Sequence, residues 1–114
     1  MSYGKSKVPC KIPSGQKLYV VIALGYGTNQ GVQHKSKSMD ELCKVNGDMP
    51  QWFFNAMTLA MLAPTAVNRQ KFLFTLDNDT VHAKALQSFY SKMDLGIAKY
   101  HFEIGAGDAE FKWA

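Results

Sequence analysis

Three polar side chains, Thr65, Asn68 and Gln70, fall where the chain leaves its most apolar stretch. Between Val67 and Gln70 the apolar run opens abruptly into amide and guanidinium groups. A hydroxyl and two carboxamides in a tight turn offer both donors and acceptors, a combination that suits the polar edge of a flat ligand. The simpler expectation is a helix-stop loop whose side chains satisfy its own backbone. The second candidate is the pair Lys35 and Lys37. Ser38 and Glu41 have capping-box spacing, which predicts a short helix from Met39 to about Val45. The lysines then precede a helix N-terminus, where free N–H groups and the helix dipole favour an anion. As ordinary surface residues they would simply be solvated. Together the two patches suit opposite ends of one phosphorylated, flat ligand.

The elements that must position these groups centre on Trp52 to Phe74. Pro50 suits a first helical turn, since it lacks the N–H that would be unpaired there. Trp52, Phe53, Ala56, Met57, Ala60 and Met61 recur at helical spacing, and Leu59 and Leu62 widen the stripe, which predicts a central helix. Pro64 ends it. Phe72 and Phe74 alternate with Leu73 and Thr75, as in a half-buried strand. Asp77-Asn78-Asp79 then predicts a hairpin to a second strand, Thr80–Ala85. Upstream, Leu18–Leu24 is a continuous β-rich run bounded by glycines, the pattern of a strand buried on both faces. The Gly25-Tyr26-Gly27 that follows lacks the third glycine and the helix of a dinucleotide fingerprint. Phe89 and Tyr90 are expected to bury. Asp94 can cap a last helix from Leu95 to about Ile104, with Gly105 and Gly107 as its stop. Trp113 is a candidate for a closing strand or a dimer contact.

Composition narrows the partners. The chain has 114 residues, 46% of them hydrophobic, which fits one domain with a real core. No apolar run reaches membrane-spanning length and no apolar signal core opens the chain, so a cytoplasmic protein is the default expectation. Cys10 and Cys43 read as free thiols. Residues 1–37 carry six lysines and no acid, a bias that favours an anion: nucleic acid, a phosphate-bearing cofactor or a membrane surface. Arg69 is the single arginine, which argues against nucleic acid and for a phosphate-bearing small molecule. No nucleophile, acid–base or metal-ligand constellation is present in the sequence. His82 reads as surface or packing, and His101 as a packing or hydrogen-bonding residue.

Ala63-Pro64-Thr65-Ala66-Val67-Asn68-Arg69-Gln70-Lys71-Phe72 resembles the A-P-[ST]-A-x-N-x-Q-P-[WF] segment of the FMN-dependent nitroreductase family. Val20–Gly27 with Lys35 and Lys37 resembles that family's strand, glycine loop and phosphate-contacting basic segment. Asp94 to Glu103 is similar to its D-x-G-[IL]-A helix. The resemblance spans roughly residues 18 to 105. It departs at Lys71, where the family has proline, and in the absence of the arginine-rich segment that clamps the flavin.

The resemblance implies a partial nitroreductase-like α+β fold, with a central helix on a small mixed or antiparallel sheet, completed by dimerisation. Residues 1–16 would be an extended or flexible arm and 17–114 the half-domain. The implied activity is that of an FMN-dependent NAD(P)H oxidoreductase with a nitroaromatic or quinone-like acceptor, or of a fragment of one. The alternative is a non-catalytic half-domain that has lost flavin binding. Lys35 and Lys37 would hold the phosphate, while Thr65, Asn68 and Gln70 orient the ring, and no side chain acts as a catalyst. The implied partner is a second copy or a complementary half, with no nucleic acid and no membrane.

Overall fold

The computed structural model describes residues 10–114. The first nine residues of the expected arm, with Lys5 and Lys7, lie outside the described residues. The chain divides into two compact units, Met1–Val32 and Gln33–Ala114.

In the first unit, residues 10–32 contain neither helix nor strand. Local bonds shape them: Gln16 N–H donates to the Pro13 carbonyl at 3.2 Å, and Gly31 N–H to Asn29 Oδ1 at 2.9 Å. The expected buried strand at Leu18–Leu24 is not formed, and Ile22 and Leu24 are 76% and 94% exposed. A strand needs a neighbour for its N–H and C=O groups and cover on its apolar faces, and residues 10–32 offer neither to this run.

The second unit is α+β. Its elements run α1 (Met39–Leu42), β1 (Cys43–Val45), α2 (Gln51–Ala60), a 3-10 turn (Ala66–Asn68), β2 (Phe72–Asp77), β3 (Thr80–Ala85), α3 (Ser91–Ala106) and β4 (Lys112–Trp113). The four-stranded sheet has the order β1-β2-β3-β4. β2 and β3 form an antiparallel hairpin, with Phe72 opposite Ala85 and Asp77 opposite Thr80. β1 joins β2, and β4 joins β3, in parallel. The sheet is therefore mixed, and Trp113 does close it as a strand residue.

The helix expected at 39–45 is only one turn long. Glu41 still accepts from the Ser38 backbone N–H at 3.0 Å and from its hydroxyl at 3.1 Å, so the start is anchored as the capping spacing predicts. From Cys43 the chain instead pairs with Phe74–Leu76. Pairing and burial of Cys43 against the sheet outweigh local helical preference, which is weak over so few residues.

One aromatic core holds the layers together. Phe72, Phe74 and Leu76 point inward from alternate positions of β2, as their spacing predicts. Phe53, Ala56, Met57 and Ala60 face them from α2, and Ala98, Phe102 and Ala106 from α3. Phe74 and Phe102 stack with ring centroids 4.9 Å apart, and Phe53 meets Phe102 edge-on at 5.5 Å. Gly105 lies inside α3 rather than after it. A Cβ there would stand 2.7 Å from both the Ala56 Cα and the Asn55 carbonyl oxygen. The missing side chain lets α2 and α3 cross closely, while Gly107, at φ 59°, is the actual stop.

Candidate functional site

α2 ends at Ala60, and two turn residues, Met61 and Leu62, lead to buried Ala63 and exposed Pro64. The loop that follows is forced into unusual backbone geometry. Val67, Asn68 and Gln70 have φ of 53°, 51° and 49°. Left-handed conformation costs a non-glycine residue roughly 1–2 kcal/mol, and a β-branched valine is especially unsuited to it. Strain of this kind persists only where the surroundings over-determine it, and it gathers at functional sites.

Three sets of hydrogen bonds supply that determination. Thr65 opens the turn: its carbonyl accepts from Asn68 N–H at 3.0 Å and its hydroxyl oxygen from Gln70 N–H at 3.0 Å. Asp94, on the first turn of α3, accepts the Ala66 N–H with both carboxylate oxygens at 3.1 Å. Asp94 was expected to cap its own helix; it lies inside α3 instead, buried, and caps the 3-10 turn from across the fold.

The third set brings the two sequence patches together. Gln70 is 2% exposed. Its Oε1 accepts from Lys37 N–H at 2.8 Å, and its Nε2 donates to the Lys35 carbonyl at 2.7 Å and to Asn68 Oδ1 at 2.8 Å. Asn68 Nδ2 also donates to the Lys35 carbonyl, at 3.0 Å. On the same segment, Ser36 Oγ donates to the Met61 carbonyl at 3.3 Å, and the His34 ring lies 3.4 Å from the Leu62 carbonyl. These groups help satisfy the carbonyls that the end of α2 leaves unpaired. Residues 34–37 are thus pinned to the helix end by the side chains of His34 and Ser36, and to the loop by the backbone of Lys35 and Lys37, which leaves the Lys35 side chain exposed and that of Lys37 half-buried.

The loop's polar groups accordingly divide by role. Both amide hydrogens of Gln70 are committed to the protein, so it acts as a bracket rather than as a contact to a ring. Asn68 is exposed yet bonded through both its amide oxygen and nitrogen. Lys35 is exposed, and Lys37 makes only a 3.5 Å contact to the Gln70 carbonyl. The only ion pair among the described residues is Lys112–Asp79, so neither lysine nor Arg69 has a carboxylate partner. No buried side-chain nitrogen or oxygen among them lacks a partner.

Sequence reasoning missed Asp94, His34 and Ser36 as members of this cluster. Asp94 carries a recognisable signal in its D-x-G-[IL]-A setting, but nothing local shows that it reaches Ala66. His101 hydrogen-bonds the Ile97 carbonyl at 3.0 Å within its own helix, and His82 is exposed. No group of three metal-ligating side chains occurs among the described residues. None of their helices is long and apolar enough to cross a membrane.

This α+β unit, with its lysine-bearing segment latched to an A-P-T-A-x-N-x-Q loop, is nitroreductase-like. The family model described as "Putative TM nitroreductase" matches residues 1–106. The chain belongs to that family. No match was found among curated proteins or among solved structures.

Proposed function

We propose that the chain is an FMN-dependent oxidoreductase of nitroreductase type, or one part of such an enzyme, using NAD(P)H and a nitroaromatic or quinone-like acceptor. The observation that carries this reading is the latch between residues 35–37 and the strained 65–70 loop. It fixes the segment that bears two ammonium groups without a carboxylate partner against a loop that carries a hydroxyl and a carboxamide. That donor set fits FMN. Lys35 and Lys37 hold the phosphate, Thr65 and Asn68 meet the polar ring edge, and exposed Val67 gives apolar surface to the ring. Gln70 positions both lysines through their backbone. FMN, when bound, supplies hydride and electron transfer, so no protein acid or base is required.

Magnitudes bear on assembly. A charge-assisted lysine–phosphate contact contributes about 1.5–3 kcal/mol, so two give roughly 3–6 kcal/mol. Micromolar affinity needs ~8 kcal/mol. Burial of the ring must supply the rest, and Val67 alone covers little of it. Residues 17–114 therefore act as a half-domain completed by a second copy or a complementary half. The test is flavin absorbance of the purified protein through a dilution series. Colour that vanishes as a dimer dissociates supports the reading; a colourless dimer that takes up no added FMN overturns it.

A second reading, a non-catalytic half-domain, is favoured by one observation. Gln70 and Asn68 already satisfy their own loop and its neighbour segment, as the simplest reading of the sequence requires. The same titration separates the two.

A further inference from the structure

An open pocket of ≈ 520 Å³ is lined by Arg69, Gln87, Ser88, Phe89 and Tyr90. It is a shallow hollow open to solvent, so it would cover one face of a flat ligand rather than enclose it. We propose that this pocket binds a planar aromatic anion, with the Arg69 guanidinium pairing the anionic group and Phe89 and Tyr90 taking the ring.

The two walls have different chemistry and share one support. Arg69 has neither an ion pair nor a side-chain hydrogen bond among the described residues. A guanidinium is a planar fork of donors suited to a carboxylate or phosphate, and it stacks on flat ligands. Phe89 and Tyr90 were expected in the core but are 85% and 61% exposed, with ring centroids 6.0 Å apart. Two adjacent large aromatics left in water beside an unpaired cation make a surface that a flat anion would cover. Tyr90 is held at φ 61°, which turns the chain sharply into α3.

Asp94 ties the walls together. It belongs to the helix that Tyr90 starts, its N–H donates to the Tyr90 carbonyl at 2.9 Å, and its carboxylate grips Ala66 in the loop that carries Arg69. The pocket is thus spanned by a buried clamp and does not depend on two independent loops. Arg69 stands between Asn68 and Gln70, so the pocket adjoins the proposed flavin patch. As the acceptor side of an oxidoreductase the pocket rests on the flavin reading; as a binding site it stands without it.

The experiment is calorimetric titration of the flavin-free protein with 2-naphthoate, its neutral isostere 2-naphthamide and non-planar cyclohexanecarboxylate. Naphthoate should bind about tenfold more tightly than naphthamide, the difference of one charge-assisted bond, and more tightly than cyclohexanecarboxylate, which keeps the charge but loses the flat ring that Phe89 and Tyr90 take. Arg69→Gln should abolish the preference for naphthoate over naphthamide, and Phe89→Ala should weaken both. Both residues are exposed, and unchanged circular dichroism checks that the variants fold. The proposal is overturned by naphthoate that fails to saturate at millimolar concentration, or by an Arg69→Gln variant that still prefers it. A separate FMN titration decides the flavin reading: naphthoate binding without FMN binding keeps the pocket and removes its acceptor role.

Discussion

Lys37 and Gln70 hold each other at two points: the lysine backbone N–H donates to the glutamine Oε1 at 2.8 Å, and the lysine ammonium reaches the glutamine carbonyl at 3.5 Å. The glutamine side chain is what converts a polar loop and a basic segment, far apart in the chain, into one patch. Replacing it by leucine strands the Lys37 N–H and strips the Lys35 carbonyl and Asn68 of a donor. Gln70→Leu should cost about 2–4 kcal/mol, read from the shift in a denaturant midpoint. Gln70→Glu should not rescue it, because the two amide donors are lost. A variant with an unchanged midpoint would mean that the latch is not formed in solution.

Asp94 makes a comparable contribution from the other side. Asp94→Ala leaves the Ala66 N–H without its acceptor and releases the turn, at a cost of about 1–3 kcal/mol. Protease susceptibility should rise at residues 65–70, and peptide mapping of a brief digest would show whether cleavage moves there.

Two glycines of α3 should respond in opposite directions to the same change. Gly105→Ala drives a methyl group into the backbone of α2, with an overpacking cost of about 1–3 kcal/mol. A Cβ at Gly96 meets nothing within 4 Å, so Gly96→Ala should stabilise by up to about 1 kcal/mol through helix propensity. Thermal melts of the pair decide it; equal shifts in one direction would refute the close helix crossing.

Much of this was legible in advance, for physical reasons that differ by element. Phe72, Phe74 and Leu76 alternate because one sheet face is buried, and the hairpin turn at Asn78-Asp79 follows from short polar residues, with Asn78 at φ 55°. The stripe of α2 was visible at helical period. Cys43–Val45 was not legible as a strand, since its partner lies some thirty residues away and no local preference announces it. Leu18–Leu24 failed in the opposite way, because its composition describes a buried strand while residues 10–32 do not provide the burial. At the candidate site the residue types were readable but their duties were not. Gln70 looked like a ligand contact, and only its surroundings show that its hydrogens are already used.

Lys35 and Lys37 should behave differently from Gln70. Lys35→Gln removes an exposed charge with no partner, so the unfolding midpoint should stay within about 0.5 kcal/mol of the parent. FMN affinity should nonetheless fall by roughly tenfold or more, the loss of one charged hydrogen bond. Lys37→Gln should weaken FMN binding similarly and also lower the unfolding midpoint slightly, given its contact to the Gln70 carbonyl. Flavin fluorescence quenching, run beside chemical denaturation, reads both quantities.

The two thiols should separate cleanly. Burial first, and then the negative charge of Asp40, raise the Cys43 thiol above its ordinary value of 9.0, which keeps it neutral at pH 7. Cys10 is exposed. A thiol reagent at neutral pH should label Cys10 quickly and Cys43 only on unfolding. The sign of the linkage follows: the folded state retains this proton while the unfolded thiol loses it near pH 9, so the contribution of Cys43 to stability declines as pH rises past that value. Mass spectrometry of the labelled protein, intact and in denaturant, measures the contrast.

The uncharged run from Leu18 to Leu24 has a practical consequence. Seven β-prone residues with no acid among them and largely open to water form a template for self-templated stacking between molecules. Lys17 is the sole flanking gatekeeper. Colloidal behaviour at high concentration is therefore governed by this short tract.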